Sequence, residues 1–94
     1  MRKPSASPVV VGVSGTSAGL AAVRLAAREA VSRGRQLRVV HAFTWPHSPP
    51  GLDEARRAAA RVVDEAVATA QRSTPLVRVT GQLVDGLGDR VLIR

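Results

Sequence analysis

A run of β-branched residues followed directly by small turn residues opens the patterned part of the chain: Val9-Val10-Val11-Gly12-Val13-Ser14-Gly15-Thr16-Ser17. Because the run is apolar at every position instead of alternating, it predicts a strand at about residues 9–14 that is covered on both faces, as in parallel sheets. Thr16 or Ser17 is suited to cap a following helix, whose free N–H groups would face an anion at the carboxyl edge of the sheet. The segment therefore predicts the first β-α turn of an α/β domain, at the edge where such folds place ligands.

Helical and strand patterns alternate after this turn. Apolar residues recur at steps of three and four over residues 17–33, and Gly34 follows in the position that favours helix termination. A second strand is predicted at Leu37–Phe43 and a second helix at about residues 52–72. A strand, a helix and a strand joined by short linkers form a βαβ unit, whose crossover is right-handed in nearly all proteins.

The last part of the chain has a weaker pattern. Residues 76–84 alternate in part, with Val77, Val79 and Leu83 predicted to point inward, which favours an edge strand. After a Gly-rich turn, the residues from Asp89 onward resemble the first turns of a third helix. The sequence then stops at Arg94. We therefore expect a flexible segment at residues 1–8 and a single, truncated domain at residues 9–94.

The net charge of +7 raises the question of nucleic-acid binding. Residues 1–50 carry seven basic side chains against Glu29 alone, so the excess lies in the first half of the chain. No aromatic residues interleave with these arginines for base stacking, and no helix-turn-helix or RNA-binding sheet motif is present. The charge therefore favours a solvated, arginine-rich surface over a nucleic-acid interface.

Several classes of site and location are disfavoured by composition. The chain contains no cysteine, which excludes disulfides, thiolate catalysis and thiolate metal sites and fits a reducing compartment. The apolar run near the amino terminus is too short for a signal core or a membrane span. The sequence thus predicts a cytoplasmic protein that does not bind membranes.

Four segments together resemble the universal stress protein family, and they span nearly the whole chain from residue 9. They are Val9–Thr16 (VVVGVSGT), Ala21–Gly34 (AAVRLAAREAVSRG), Leu37–Pro46 (LRVVHAFTWP) and Val77–Ile93 (VRVTGQLVDGLGDRVLI). The resemblance implies a doubly wound, Rossmann-like parallel sheet of the adenine nucleotide alpha hydrolase-like type, with strand order 3-2-1-4-5. This chain would supply only the part ordered 3-2-1, with helices packed on it.

The resemblance also implies a nucleotide site, of which this chain holds one side. In ATP-binding members the adenine lies against the exits of the first two strands, which correspond here to Gly12, Val13, Ser14 and Ala42. The phosphates and ribose are held by a G-x-x-G-x9-G-[ST] motif after a fourth strand, and this sequence ends before such a motif. The family's usual acidic residue is Ser14 here, and a hydroxyl lacks the charge and the paired acceptors of a carboxylate. We expect a defective ATP site.

The predicted strand order creates a conflict at residues 9–13. This segment has the most apolar sequence, yet in the order 3-2-1 it lies at an edge with one row of backbone groups unpaired. We therefore expect a second copy of the chain or a separate polypeptide to cover it. Whether residue 94 is the natural carboxyl terminus stays open.

Other residues that resemble functional motifs are better explained as structural. His41 has no sequence neighbour that would orient it for catalysis, and His47 and His41 without a third ligand do not make a zinc site. The Gly86-Leu87-Gly88-Asp89 turn lacks the lysine of a phosphate loop, and Gly12-x-x-Gly15 fits a tight turn. The sequence thus predicts no catalytic residue and no metal site.

The residues and the resemblance together predict a universal stress protein-like, non-enzymatic binding domain of the stress response. Its ATP site would be incomplete, so no cofactor is assigned. ATP is the one candidate, although the phosphate-binding motif is absent. Two alternatives stay open: an interaction fragment completed by self-association or by a partner chain, and a basic nucleic-acid-binding module.

Overall fold

A computed structural model describes residues 7–43, 51–85 and 91–93 of the chain. The elements are β1 (Val9–Gly12), α1 (Ser17–Ser32), β2 (Leu37–Phe43), α2 (Leu52–Ser73), β3 (Val79–Asp85) and β4 (Val91–Ile93). Most of the predicted flexible segment, the histidine at position 47 and the glycine-rich turn at residues 86–89 lie outside the described residues. Among the described residues, no helix is long and apolar enough to cross a membrane.

The strands form one sheet in the order β1-β2-β3-β4. The first three strands are parallel, which confirms the predicted α/β class and the predicted order 3-2-1. In the register of the sheet, Val11 lies opposite Val39, and Val39 lies opposite Gly81. β1 occupies one end of this sheet, so one side of its backbone has no neighbouring strand among the described residues.

β4 corrects the prediction of a third helix that begins near Asp89. Val91–Ile93 pairs antiparallel with β3, opposite Gln82–Val84. The three apolar residues complete hydrogen bonds along the outer side of β3, which a single helical turn at the end of the chain would leave open. The prediction that β3 is an edge strand is therefore wrong over Gln82–Val84, although it holds for Val79 to Gly81.

Both helices pack on the same face of the sheet. Two successive right-handed crossovers that run in one direction place their helices on one side. The core between helices and sheet is built from small and branched side chains that are fully buried, including Val23, Ala27, Leu37, Val39 and Ala66.

The opposite face of the sheet is not covered by a helix among the described residues, and we call it the open face. Strand alternation and register assign eight residues of the parallel strands to it: Val10, Gly12, Arg38, Val40, Ala42, Thr80, Gln82 and Val84. On β1, Val9 and Val11 contact the core, whereas 58% of Val10 is exposed. The prediction that β1 is buried on both faces is therefore wrong, because both helices lie on one side.

The ends of α1 follow their sequence signals. The Oγ1 atom of Thr16 accepts a hydrogen bond from the Gly19 N–H at 3.1 Å, which confirms the predicted cap. After the last turn, Gly34 has a φ of +66° and donates to the Val31 carbonyl at 3.0 Å, while the Arg35 N–H donates to Ala30 at 2.8 Å. This pair of bonds is a Schellman motif, in which glycine avoids the steric cost of a positive φ.

Candidate functional site

The exit of β1 forms one wall of a recess at the carboxyl edge of the sheet. The Val13 N–H still donates to the Val40 carbonyl at 2.9 Å, so the chain stays paired for one residue beyond the assigned strand. It then turns at Gly15, whose φ is +89°, and enters α1 through Thr16. The turn leaves Ser14 exposed between the strand and the helix.

The exit of β2 forms the other wall. Val40 lies opposite Gly12 in the register, and Ala42 follows two residues later on the same face of β2. Together with Val13 and Ser14, these residues line a recess of about 380 Å³. The structure thus brings the four residues of the predicted half-site together in one place, and it adds Val40 to them.

Small side chains make the recess wide. A Cβ atom at Gly12 would find a single heavy atom within 4 Å, the Val40 carbonyl oxygen at 4.0 Å. Ala42 is exposed, and no lining residue is larger than valine. A flat, apolar group could therefore lie against the backbone of both strand exits.

No cationic side chain lines the recess within the part of the chain that the structure describes. Its lining residues are glycine, valine, serine and alanine, and Ser14 supplies the sole side-chain hydrogen-bonding group among them. A phosphate chain is normally held by lysine, arginine or a run of backbone N–H groups. The described lining is thus suited to an uncharged, flat group more than to a polyanion.

His41 lies on the opposite face of β2 from the recess and is half-buried. Its Nδ1 donates to the Val13 carbonyl oxygen at 2.8 Å. This hydrogen bond joins the exits of β1 and β2 and agrees with the predicted structural role of the histidine. The ring supports the recess from behind and does not line it.

Two further recesses lie away from the carboxyl edge. One, of about 300 Å³, is bounded by α2 and the first half of β3, and includes Asp64, Gln71 and Thr80. The other, of about 310 Å³, lies at the amino ends of the strands and includes Arg35, Leu76 and Arg78. Neither contains any residue of the predicted half-site. Within residues 7–43, 51–85 and 91–93, no group of three or more metal-ligating side chains occurs.

A comparison with protein-family models matches residues 6–94 to the universal stress protein family. The chain belongs to this family. The match covers nearly the whole sequence, including both strand exits that line the recess. A search of curated protein sequences gives no match.

Solved structures of other universal stress proteins share the fold of this family member. One, crystallised in complex with cAMP, superposes with a TM-score of 0.70 at 22% identity over 88% of this chain. A universal stress protein from Archaeoglobus fulgidus gives 0.67 at 26% identity over 93% of the chain. A family member from Burkholderia pseudomallei gives 0.67 at 24% identity over 85%. This chain covers 57%, 57% and 63% of those three chains, respectively.

The sequence pattern missed one contributor to the recess of this universal stress protein domain. The pattern assigns Val40 to the second strand and gives it no role at the site. Its signal was available, because Val40 and Ala42 are two residues apart and share a face of any strand that contains both. What the sequence alone could not show was that this shared face is the open one.

Proposed function

We propose that this chain is a non-enzymatic, universal stress protein-like binding domain of the stress response, with an adenine-side half-site and an incomplete site for ATP. The observation that carries the proposal is the recess at the carboxyl edge, where Gly12, Val13, Ser14 and Ala42 meet. A universal stress protein of the same fold was crystallised in complex with cAMP, which supports adenine nucleotides as the ligand class.

The chemistry of the lining supports weak binding of the base and little selection for phosphates. Apolar strand exits can bury the flat faces of an adenine ring, whereas none of the described lining side chains can neutralise a phosphate. Ser14 offers a hydroxyl in place of the family's usual carboxylate. We therefore expect adenosine to account for most of the affinity of ATP.

The same lining supports the assignment of a non-enzymatic role. Nucleophilic catalysis needs a base within hydrogen-bond reach of the nucleophile, and Ser14 is the one hydroxyl among the described lining residues of the recess. Among the described residues the one histidine, His41, belongs to the other face of β2 and donates its Nδ1 hydrogen to the Val13 carbonyl. A cytoplasmic location is part of this proposal, and the lack of cysteine fits it.

Calorimetric titration with adenosine, AMP, cAMP and ATP tests the proposal. We expect dissociation constants that agree within about threefold, a difference under about 1 kcal/mol. Binding of ATP more than about a hundredfold tighter than adenosine would contradict the half-site, since it requires a phosphate contact. Absence of heat with all four ligands would exclude the nucleotide role altogether.

Two variants in which leucine replaces an alanine test where the ligand binds. Ala42→Leu places a bulky side chain in the recess, whereas Ala21→Leu makes the same change on the exposed surface of α1. Adenosine binding should be lost in the Ala42 variant and unchanged in the Ala21 variant. Equal effects of the two changes would place the ligand elsewhere.

A second candidate function is that of an interaction domain completed by another polypeptide. β1 lies at the end of the described sheet. The Val9 N–H donates to the carbonyl of Gln36, just before β2, and the Val13 N–H donates to the carbonyl of Val40 in β2, at 2.9 Å each. Because alternate residues of a strand direct their N–H groups to the same neighbour, those of Val10 and Gly12 face the free edge. We propose that a second copy or a partner chain pairs with this edge, covering residues 9–13.

Light scattering over a concentration series tests this second candidate. Pairing along β1 predicts a molar mass that rises from one chain to two as concentration increases. A constant mass of one chain at high concentration would leave only a different partner for the edge. The family assignment does not favour the third possibility, a nucleic-acid-binding module.

A further inference from the structure

The recess of about 310 Å³ at the amino ends of β2 and β3 is formed by the two turns that lead into those strands. Its lining consists of Val31, Gly34, Arg35, Gln36, Leu76 and Arg78. It shares no residue with the open face or with the recess at the carboxyl edge. A ligand bound here would therefore be independent of the candidate nucleotide site.

Backbone hydrogen bonds fix the positions of the two arginines in the lining. The Arg35 N–H donates to the Ala30 carbonyl at 2.8 Å, within the motif that ends α1. The Arg78 carbonyl accepts from the Leu37 N–H at 2.7 Å, which joins the start of β2 to the residue before β3. Both guanidinium groups thus extend from ordered backbone at the same end of the sheet.

Leu76 supplies an exposed apolar side chain to the same recess. The Val77 N–H donates to the Thr74 carbonyl at 2.9 Å, which closes a four-residue turn with Pro75 and Leu76 at its centre. Val77 is buried in the core, whereas 84% of Leu76 is exposed, the largest value for a large apolar side chain among the described residues. Half-buried Val31 adds a second apolar group to the lining.

The positive charge at this recess is not compensated by the chain. Among the described residues, the side chains of Arg35 and Arg78 form no ion pair and no hydrogen bond. Arg33, two residues earlier, differs because it pairs with Glu29 on α1. Of the three recesses described above, one has no charged lining residue and one includes Asp64, so this recess alone of the three has a cationic lining.

The nearby end of α1 does not account for these charges. Cations are favourable at helix carboxyl ends, where the last carbonyls have no partner within the helix. Here the carbonyls of Glu29, Ala30 and Val31 already accept backbone N–H groups at 2.8–3.0 Å. The guanidinium groups are therefore not needed to satisfy the helix end.

We propose that this recess binds a small organic phosphate, a phosphate monoester attached to an apolar group. Such a phosphate carries a charge of about −1.5 to −2 near pH 7 and has three terminal oxygens, so it can accept from the planar forks of both arginines. A carboxylate has one charge and two oxygens, which match a single guanidinium. The apolar group would cover part of Leu76 and Val31, and burial of this surface is favourable.

Four small probes separate the contributions of charge and apolar surface: phenyl phosphate, inorganic phosphate, benzoate and phenol. Amide chemical-shift changes of the full chain measure the binding of each. We expect phenyl phosphate to bind at least about fivefold more tightly than each of the other three, because only this probe has both a phosphate and an apolar group. Shifts should occur at Gly34, Gln36 and Leu76, and not at Gly12.

Variants assign the binding to individual side chains. Arg35→Gln and Arg78→Gln should each weaken phenyl phosphate binding at least about fivefold. Arg28→Gln removes the same charge from the exposed surface of α1 and should change the affinity less than about twofold. Leu76→Ser should weaken the binding of phenyl phosphate but not of inorganic phosphate. Because Leu76 is exposed, its replacement leaves the core intact.

Four results would overturn the proposal. The first two are equal affinities for phenyl phosphate and inorganic phosphate, and the absence of shifts at the recess. The third is an equal loss of affinity in Arg28→Gln and Arg35→Gln, which would mean that the probe responds only to the net charge of +7. The fourth is displacement of phenyl phosphate by adenosine, which would place the probe at the carboxyl edge. A chain that binds no adenosine but selects phenyl phosphate would keep this proposal and remove the nucleotide role.

Discussion

The Nδ1 atom of His41 lies 2.8 Å from the carbonyl oxygen of Val13, 28 residues earlier in the chain. The hydrogen bond joins the exits of two parallel strands just where β1 ceases to pair regularly with β2. The His41 ring holds the Val13 carbonyl from the helix-covered face of the sheet, and Val13 also lines the recess. The shape of the candidate site therefore depends on a side chain outside it.

Replacing His41 tests this support. His41→Leu should lower the free energy of unfolding by about 1–3 kcal/mol, because the half-buried Val13 carbonyl would lose its donor. His41→Asn places an amide N–H near the position of Nδ1 and should cost no more than about 1 kcal/mol. Urea denaturation followed by circular dichroism measures both. Equal losses would mean that the ring contributes by packing alone.

Gly81 lies beneath α2, against the side chains of Val63 and Val67. A Cβ atom there would collide with Cγ1 of Val63 and would lie 3.2 Å from Cγ2 of Val67. Gly81→Ala should therefore destabilise the fold by about 1–3 kcal/mol through overpacking. Thermal unfolding of the single variant, with Gly12→Ala as the control, measures the effect.

The control and the double variant distinguish overpacking from a general effect of alanine in a strand. Gly12 has open space around its missing Cβ, so Gly12→Ala should change stability by less than about 0.5 kcal/mol. Val63→Ala should be less harmful in the Gly81→Ala background than alone, because the shorter side chain makes room. Strictly additive losses would contradict a steric contact between the two residues.

The free edge of β1 can be blocked at Val10. Its N–H faces away from β2, so Val10→Pro removes a donor of the edge without breaking a bond inside the sheet. We expect the variant to remain a monomer at concentrations where the wild-type chain associates. Val10→Thr has a similar shape and keeps the N–H, so it should associate as the wild type does. Association of the proline variant would place the contact on another surface.

Ser14 tests what an acidic side chain would add to the recess. Ser14→Asp should bind adenosine about tenfold more tightly than the wild type, because a carboxylate accepts stronger hydrogen bonds than a hydroxyl. The gain should be smaller for ATP, whose phosphates the new charge would repel. Calorimetry with both ligands measures the difference.

Ser14→Asn is the matched neutral variant. It has nearly the same shape as the aspartate but no charge, so it should give little of the gain. If the two variants bind adenosine equally well, the added atoms and not the charge would explain the effect. Loss of binding in both would mean that Ser14 faces a different part of the ligand.

Local signals in the sequence determined the secondary structure in the amino-terminal half of the chain. The Thr16 cap and the Gly34 termination depend on contacts within a few residues, and both agree with their predictions. The bounds of β2 also agree with the prediction, which came from the run of residues that favour strands. The proximity of Gly12 and Ala42 could also be predicted from the sequence. Parallel strands joined by a right-handed crossover bring their carboxyl ends to the same edge.

Long-range packing decided the rest. Val91–Ile93 forms β4 because β3 offers an open side, and nothing within three apolar residues distinguishes a strand from a helical turn. Val10 is exposed because both helices lie on the other face of the sheet, although its apolar neighbours predicted burial on both faces. The place of Arg38 in an alternating strand was readable from the sequence, but only the fold shows that its Nε is shielded from solvent and has no hydrogen-bond partner among the described residues.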